Sequence, residues 1–487
     1  MSKRLGAADR RLFVLVSQAA YENPFGARRG ALDSEISESP AGDPAWTGRM
    51  LQRVGARLAA LGPRLRVHDF APADRQLVED TLLFEAFHRV LAPLDAFIAA
   101  QERAADAPLR IDFARWFLSG LGERGIEPAR ALRMLELFYQ MRRAFIFISR
   151  GLVGGSACMR LLREALWLAV FTHDIRRYER HLWNRMEDFS TILIGETGTG
   201  KGAAAAAIGL SGFIAFDPKK EAFAHNVHEA FLPIHLNEFP ESLFESEIFG
   251  HRKGAFTGAV DNYEGVLARC RPHGGVFFDE IGEVTLPVQV KLLRVLQDRV
   301  YTPVGSREQR RFSGRILAAT HRSLPELRAA GALRDDFFYR LCSNSIEVPP
   351  LRTRLAQARS ELAELVSHLC TRITGNRNEE LAAEVVTSIE RDLGTNYAFP
   401  GNVRELEQCV RRVLLTGSCV RDDKPTSSDD RALARALEQG TWSAEQLLER
   451  YCTALYGRSG SYVEVARITG LDRRTVKKHV ERTPSTK

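Results

Sequence analysis

The sequence predicts a multidomain chain: a helix-rich N-terminal domain, an α/β core built on a phosphate-binding P-loop with a helical lid, and a C-terminal all-α helix-turn-helix. Three observations carry that expectation. At 487 residues the chain exceeds what one hydrophobic core holds and suits about three domains. Apolar residues recur at helical spacing through the first 150 positions, then give way to a short β-branched run, a glycine-rich loop and an alanine-rich segment. The last stretch reads helix, glycine turn, helix, with basic residues gathered on the second helix.

Apolar residues make up 45% of the chain and charged residues 26%, a balance that supports buried cores and excludes wholesale disorder. The formal net charge of +7 is a weak pointer to polyanionic partners, so where the charge sits matters more than its sum. Seven cysteines (158, 270, 342, 370, 409, 419 and 452) form no CxxC pair and no zinc spacing, and read as reduced, mostly buried thiols. The apolar run Leu12 to Val16 is too short for a signal-peptide core, and nothing approaches the roughly 20 apolar residues of a membrane span. A soluble cytoplasmic protein with no membrane partner is expected.

Domain 1 is placed at 1–150, a helix-rich domain whose residues announce no chemistry. It opens on the apolar run, continues through a Gly, Pro and Ser-rich stretch from Asn23 to Gly48 that reads as loop, and then turns helical. Leu82, Leu83, Phe87, Leu91 and Leu94, and later Leu132, Met134, Leu135, Leu137 and Phe138, recur every three or four residues. Domain 2, at 151–420, begins its chemistry with the strand Thr191–Ile194 and the helix-favouring Ala203–Ala207. Apolar runs Val276–Phe278 and Ile316–Ala319, separated by amphipathic segments such as Val290–Leu296, predict a parallel sheet covered by helices, with the lid over about 356–420. Residues 421–442, including RDDKPTSSDD, read as a linker, and 443–487 as the DNA-binding unit.

Gly195-Glu196-Thr197-Gly198-Thr199-Gly200-Lys201 has the spacing G-x-x-x-x-G-K, in which backbone N–H groups curl around phosphates and the lysine adds charge. The Ser or Thr that usually follows, and helps hold Mg²⁺, is replaced by Gly202. Metal binding is therefore expected at Asp279, where the apolar strand Gly274–Phe278 runs out into two carboxylates; Glu280 is the candidate to polarise an attacking water. Arg334 and Arg340 are candidates to meet charge developing on a γ-phosphate.

These motifs together resemble, over about Gly151 to Val420, the AAA+ domain of sigma-54-dependent transcriptional activators, also called bacterial enhancer-binding proteins. The resemblance rests on GETGTGKG at 195, ESEIFGHRKGAFTGA at 245, GGVFFDEIGE at 274, LRDDFFYRL at 333, VPPLRTR at 348 and FPGNVRELE at 399. It implies ATP and Mg²⁺ as cofactors, and a sigma-54 contact loop at Gly254-Ala255-Phe256-Thr257-Gly258-Ala259. It further implies that Arg334 and Arg340 reach the ATP of an adjacent subunit, that Arg404 senses γ-phosphate, that the chain self-assembles, typically as a hexameric ring, and that domain 1 is regulatory or sensory. Asn237 resembles the residue that switches the catalytic glutamate, although the spacing before ESEIFG is shorter here. Two positions depart from the pattern: Gly202 replaces a glutamate, and His321 replaces the sensor asparagine. The segments 171–187 and 211–230 have no counterpart in the general pattern.

The end of the chain, from Ser461 to Val480, resembles the Fis-type helix-turn-helix that closes many such activators, with Gly470 at the bend and a preceding helix near 444–456. Such domains pair on two-fold sites. Arg473, Arg474, Thr475, Lys477, Lys478 and His479 are the candidates to touch double-stranded DNA at an upstream enhancer site. Two functions follow: an ATPase that remodels the sigma-54 RNA polymerase holoenzyme, or an ATP-binding but hydrolysis-impaired DNA-binding regulator, which Gly202 and His321 would favour.

Overall fold

Helix α1 (Ala7–Ala20) opens a computed structural model that describes residues 2–40, 45–62, 64–104, 108–240, 243–419 and 442–481. The chain divides into two units, Met1–Cys419 and Val420–Lys487. The expected linker falls almost wholly outside the described residues.

In the first unit, α1 is followed by α2 (Ala27–Ser37), α3 (Trp46–Ala60), α4 (Pro72–Arg103), α5 (Ala114–Glu123) and α6 (Pro128–Gly151). The stretch from Asn23 to Gly48 is thus not the expected loop. Leu32 and Ile36, one helical turn apart, are both buried, so α2 forms despite Gly30 because its apolar pair finds a core. Proline opens both α4 and α6, where its missing N–H costs nothing.

Six pairings, four parallel and two antiparallel, join the strands β1 (Thr191–Ile194), β2 (Phe216–Asp217), β3 (Ala222–Phe223), β4 (Phe231–His235), β5 (Gly275–Asp279), β6 (Val300–Tyr301), β7 (Arg310–Arg311), β8 (Arg315–Thr320) and β9 (Asn344–Glu347) of the described residues. The main sheet is parallel in the order β4-β5-β8-β1-β9, with Thr191 beside both Leu317 and Asn344. Helices α7 (Ala157–Phe171) and α8 (Lys201–Gly209) cover one face, and α9 (Phe244–Phe249) and α10 (Leu286–Asp298) belong to the core of the other. After α11 (Asp335–Leu341), a lid of α12 (Leu351–Gln357), α13 (Glu361–Thr374), α14 (Glu379–Leu393) and α15 (Asn402–Thr416) closes its own core around Leu406 and Val410.

The expected boundary at 150 is not a break. One hydrophobic core runs from Phe13 and Val78 through Leu135 and Tyr139 to Ala204, Phe277 and Leu317. The reason lies in α8: its apolar Ala204, Ala205, Ala207 and Ile208 are buried, and α6 joins the core that receives them. Segments 171–187 and 211–230 complete the join. In the first, Arg176 pairs with the fully buried Asp80 at 2.7 Å and Arg133 stacks on Trp183 at 3.5 Å. In the second, the β2–β3 hairpin stacks Phe223 on Tyr139 at 3.8 Å, and Ile111 N–H bonds Glu221 O at 2.8 Å.

The second unit comprises α16 (Ala444–Ser459), α17 (Tyr462–Thr469) and α18 (Arg473–Glu481) around Cys452, Val465 and Val476. No helix among the described residues is long and apolar enough to cross a membrane.

Candidate nucleotide site and surface loop

The sheet presents its chemistry at the carboxyl ends of its strands, where open α/β sheets bind ligands. β1 ends at Ile194, the loop turns through Gly195–Gly200, and α8 starts at Lys201. Gly198 and Gly200 take φ of +80° and +103°, and a Cβ on Gly198 would sit 2.4 Å from Gly401 O, so that position has room only for glycine. Lys201 is 7% exposed; its ammonium donates to Gly195 O at 2.9 Å and Glu196 O at 3.3 Å, and Glu280 lies 4.0 Å away. Burial lowers its pKa, which the nearby Glu280 and Asp279 carboxylates oppose.

A cleft of about 740 Å³ is lined by Thr197 to Gly202, His235, Asp279, Glu280, His321 and Arg404, among others. Most of the sequence-predicted nucleotide residues therefore meet in one place. Gly195 lies behind the loop against Val348, and Glu196 turns away from the cleft. The Glu196 carboxylate accepts from Arg352 at 2.7 Å and Asn402 at 3.2 Å, and these bonds, Arg352 first, pull its pKa down to about 2. The lid is thereby tied to the loop, and Val403 N–H adds a bond to Gly198 O at 3.0 Å. Gly202 is exposed, and a Cβ there would meet nothing within 4 Å.

Asp279 closes β5 and Glu280 follows in the left-handed region at φ +56°. Glu280 Oε2 accepts from His321 Nδ1 at 2.7 Å; a carboxylate only accepts, so the imidazole carries its proton on Nδ1. A second histidine was missed by sequence reasoning. His235 ends β4 in register with Asp279 and sets Nδ1 3.5 Å from its carboxylate. Its signal is topological, because only the adjacency of β4 and β5 brings it there. Asn237 lies in a short 3₁₀ turn after β4, and its side chain falls outside the described residues.

Arg334 and Arg340 do not line this cleft in their own chain. Both are exposed at the ends of α11, and Arg334 is held by Asp336 at 2.8 Å. The Gly254–Ala259 segment forms a closed surface loop: Gly254 N–H bonds Ala259 O at 2.8 Å, with φ of +80° at Gly254 and +99° at Gly258. Phe256 remains 38% exposed, its ring edge-on to His251 at 5.0 Å.

In the second unit Gly470 turns at φ +71° between α17 and α18, and Arg473, Arg474, Lys477 and Lys478 are exposed with Thr475 partly so. His479 departs from expectation. It stands three residues after the buried Val476, on the same face, and is only 9% exposed with Nδ1 enclosed, so it belongs to the small core.

A parallel sheet carrying a glycine loop, a buried lysine and paired carboxylates at its carboxyl edge defines a P-loop nucleotide-binding protein. Residues 173–347 match the family described as the Sigma-54 interaction domain, an AAA+ ATPase module. The chain is 39% identical over 247 residues to transcriptional regulatory protein GlrR of Escherichia coli (strain K12), covering 48% of this chain and 49% of that one. It is 34% identical over 333 residues to transcriptional regulatory protein ZraR of Klebsiella oxytoca, covering 67% of each. A crystal structure of NtrX from Brucella abortus in complex with ATP is similar over 75% of this chain and 78% of its own at 20% identity, with a TM-score of 0.42. The chain belongs to the family of sigma-54-dependent transcriptional regulators. It spans about half the length of the first curated relatives it matches.

Proposed function

We propose that this chain is a bacterial, cytoplasmic transcription activator that binds enhancer-like DNA and spends ATP to remodel the promoter complex of the sigma-54 RNA polymerase holoenzyme. The observation that carries the reading is the meeting of Lys201, Asp279, Glu280, His321 and Arg404 in one cleft, while a separate glycine-flanked loop offers Phe256 and Thr257 to a partner.

Lys201 and the loop N–H groups bind the phosphates, and Arg404 reads the γ-phosphate from the lid. The donor set suits Mg²⁺: Asp279 would hold it together with phosphate oxygens, and the ion would neutralise phosphate charge. Glu280 is the base that orients water. It starts engaged to His321, so it must exchange that partner for the water, and a γ-phosphate that attracts the imidazole N–H favours the exchange. Arg334 and Arg340 face outward and serve the cleft of a neighbouring subunit, which requires a ring, typically hexameric. Arg473, Arg474, Thr475, Lys477 and Lys478 hold DNA, the unit pairing on a two-fold site.

Steady-state hydrolysis with Mg²⁺, followed against protein concentration, tests this. Turnover per subunit that rises with concentration and collapses in Glu280→Ala and in Arg334→Ala is the expected result. Assembled protein that binds ATP yet hydrolyses it no faster than Glu280→Ala would instead establish the hydrolysis-impaired regulator, the reading that Gly202 and the His321–Glu280 bond favour.

A further inference from the structure

The three carbonyls that follow the P-loop helix α8 are all held by side chains of one N-terminal helix. Arg143 of α6 donates to Leu210 O at 2.7 Å and to Gly212 O at 2.5 Å, and Gln140, one turn earlier, donates to Ser211 O at 2.9 Å. Gln140 is fixed in turn by Tyr178 of the first extra segment, whose hydroxyl donates to its amide oxygen at 2.9 Å.

Arg143 is a costly residue to keep. It is 0% exposed, its Nε has no partner, and no carboxylate among the described residues pairs with it. Burial lowers its pKa, opposed by the neighbouring Tyr139 and Tyr178, and its guanidinium lies 4.3 Å from the Tyr139 ring centroid. A buried cation without a counter-ion is destabilising unless something supplies negative potential. Here the supplier is the carboxyl end of α8, where the aligned peptide dipoles amount to about half a negative charge. The opposite end of that nine-residue helix carries Lys201 and the phosphate loop. The helix is also pinned sideways: a Cβ on Gly209 would fall 2.1 Å from the Phe231 ring.

We propose that Arg143, with Gln140, is a positioning residue for the nucleotide site: it sets the axial position of α8, and so couples the N-terminal helices to the phosphate loop. The nucleotide half of this rests on the ATP reading above; the mechanical half does not. Coupling of this kind is reciprocal, so nucleotide on the loop must tighten α6 as α6 tightens the loop. The same helix reaches back into the N-terminal layer, where Met134, Leu137, Phe138 and Met141 line a small cavity with His88 and Asp80, so a change there has a rigid route to Lys201.

The test uses the full chain and three variants. Arg143→Met keeps a long unbranched side chain and removes the charge, Arg143→Lys keeps the charge and loses the fork, and Gln140→Leu removes the Ser211 bond together with the acceptor of the Tyr178 hydroxyl while leaving both Arg143 bonds in place. Amide hydrogen exchange without nucleotide comes first: Arg143→Met is expected to speed exchange across 195–212 about tenfold while α13 to α15 stay as in wild type, with Arg143→Lys partway back. With ATP, the Met variant is expected to bind about tenfold more weakly, raising KM more than it lowers kcat, and ATP is expected to slow exchange in α6 of wild type but not of the variant. If Arg143→Met fails to fold, Gln140→Leu gives the same selective loosening at smaller amplitude. Exchange over 195–212 equal to wild type, or loosened uniformly with every other segment, overturns the proposal. Wild type that binds ATP no better than Lys201→Ala overturns the nucleotide reading instead, and the exchange arm then still judges the clamp.

Discussion

Gly202 occupies the second position of the P-loop helix with open space where its side chain would be. Its φ is not among the positive values, so alanine fits without strain, and Gly202→Ala is expected to stabilise the chain by about 0.5 to 1 kcal/mol through helix propensity. Thermal unfolding measures this; a lower midpoint contradicts it. His88 gives a pH prediction. Burial, the largest cause, pushes its pKa down to about 4, against the backbone bond from its Nδ1 to Phe84 O. Because the unfolded chain takes the proton first, the full stability is present above about pH 6.5 and drains away between 6.5 and 4, by about 2 to 3 kcal/mol. His88→Phe, which keeps a ring beside Phe84 and Phe87, is expected to flatten that slope in unfolding midpoints taken across pH. At this scale the sequence was legible where backbone geometry dictates the residue. Gly198 and Lys201 stood out because the spacing of the loop puts glycine and cation together, and Asp279 because an apolar strand runs out into carboxylates there. His235 and His479 did not, because strand register places the first beside a carboxylate far along the chain and helix phase turns the second into a core.

Elements behave alike. The strands Thr191–Ile194 and Gly275–Asp279 were readable as short apolar runs, and the lid as a helical block, because each carries its own periodicity. Helix α2 was not, since it lies in a stretch rich in Gly, Pro and Ser that reads as loop until the pocket for Leu32 and Ile36 exists. The Gly254–Ala259 loop is an element whose ends are tied to each other by the hydrogen bond from Gly254 N–H to Ala259 O, leaving Phe256 partly exposed at its surface. Phe256→Ala is accordingly expected to leave ATP turnover within about twofold of wild type while cutting sigma-54-dependent open-complex formation by at least about tenfold. Equal loss of both in a paired ATPase and promoter-opening assay would mean that the loop is part of the nucleotide site.

For the whole molecule, the core shared by the N-terminal helices and the sheet face bears on how the chain can be cut. A fragment of residues 151–420 would expose the buried face of α8 and strip the partners of Tyr178, Phe223 and Arg176. It is expected to elute as aggregate and to lack a cooperative melt, where the full chain elutes as defined species; size-exclusion chromatography with circular dichroism distinguishes them. A soluble fragment with a sharp transition would show that the sheet stands without its cover. Composition and motif order could not reveal this dependence. They mark where chemistry changes along the chain, whereas a domain boundary depends on which surfaces find each other in three dimensions.

The two extra segments that grip the N-terminal helices also constrain inheritance. Without the helices, Trp183 loses the Arg133 cation and Phe223 the Tyr139 ring; without the segments, the fully buried Asp80 loses the guanidinium of Arg176. Neither half is tolerable alone, so the helices, the 171–187 segment and the β2–β3 hairpin would be acquired or discarded as one piece. A chimera that borrows the first 150 residues for a relative's ring would have to carry both segments with them.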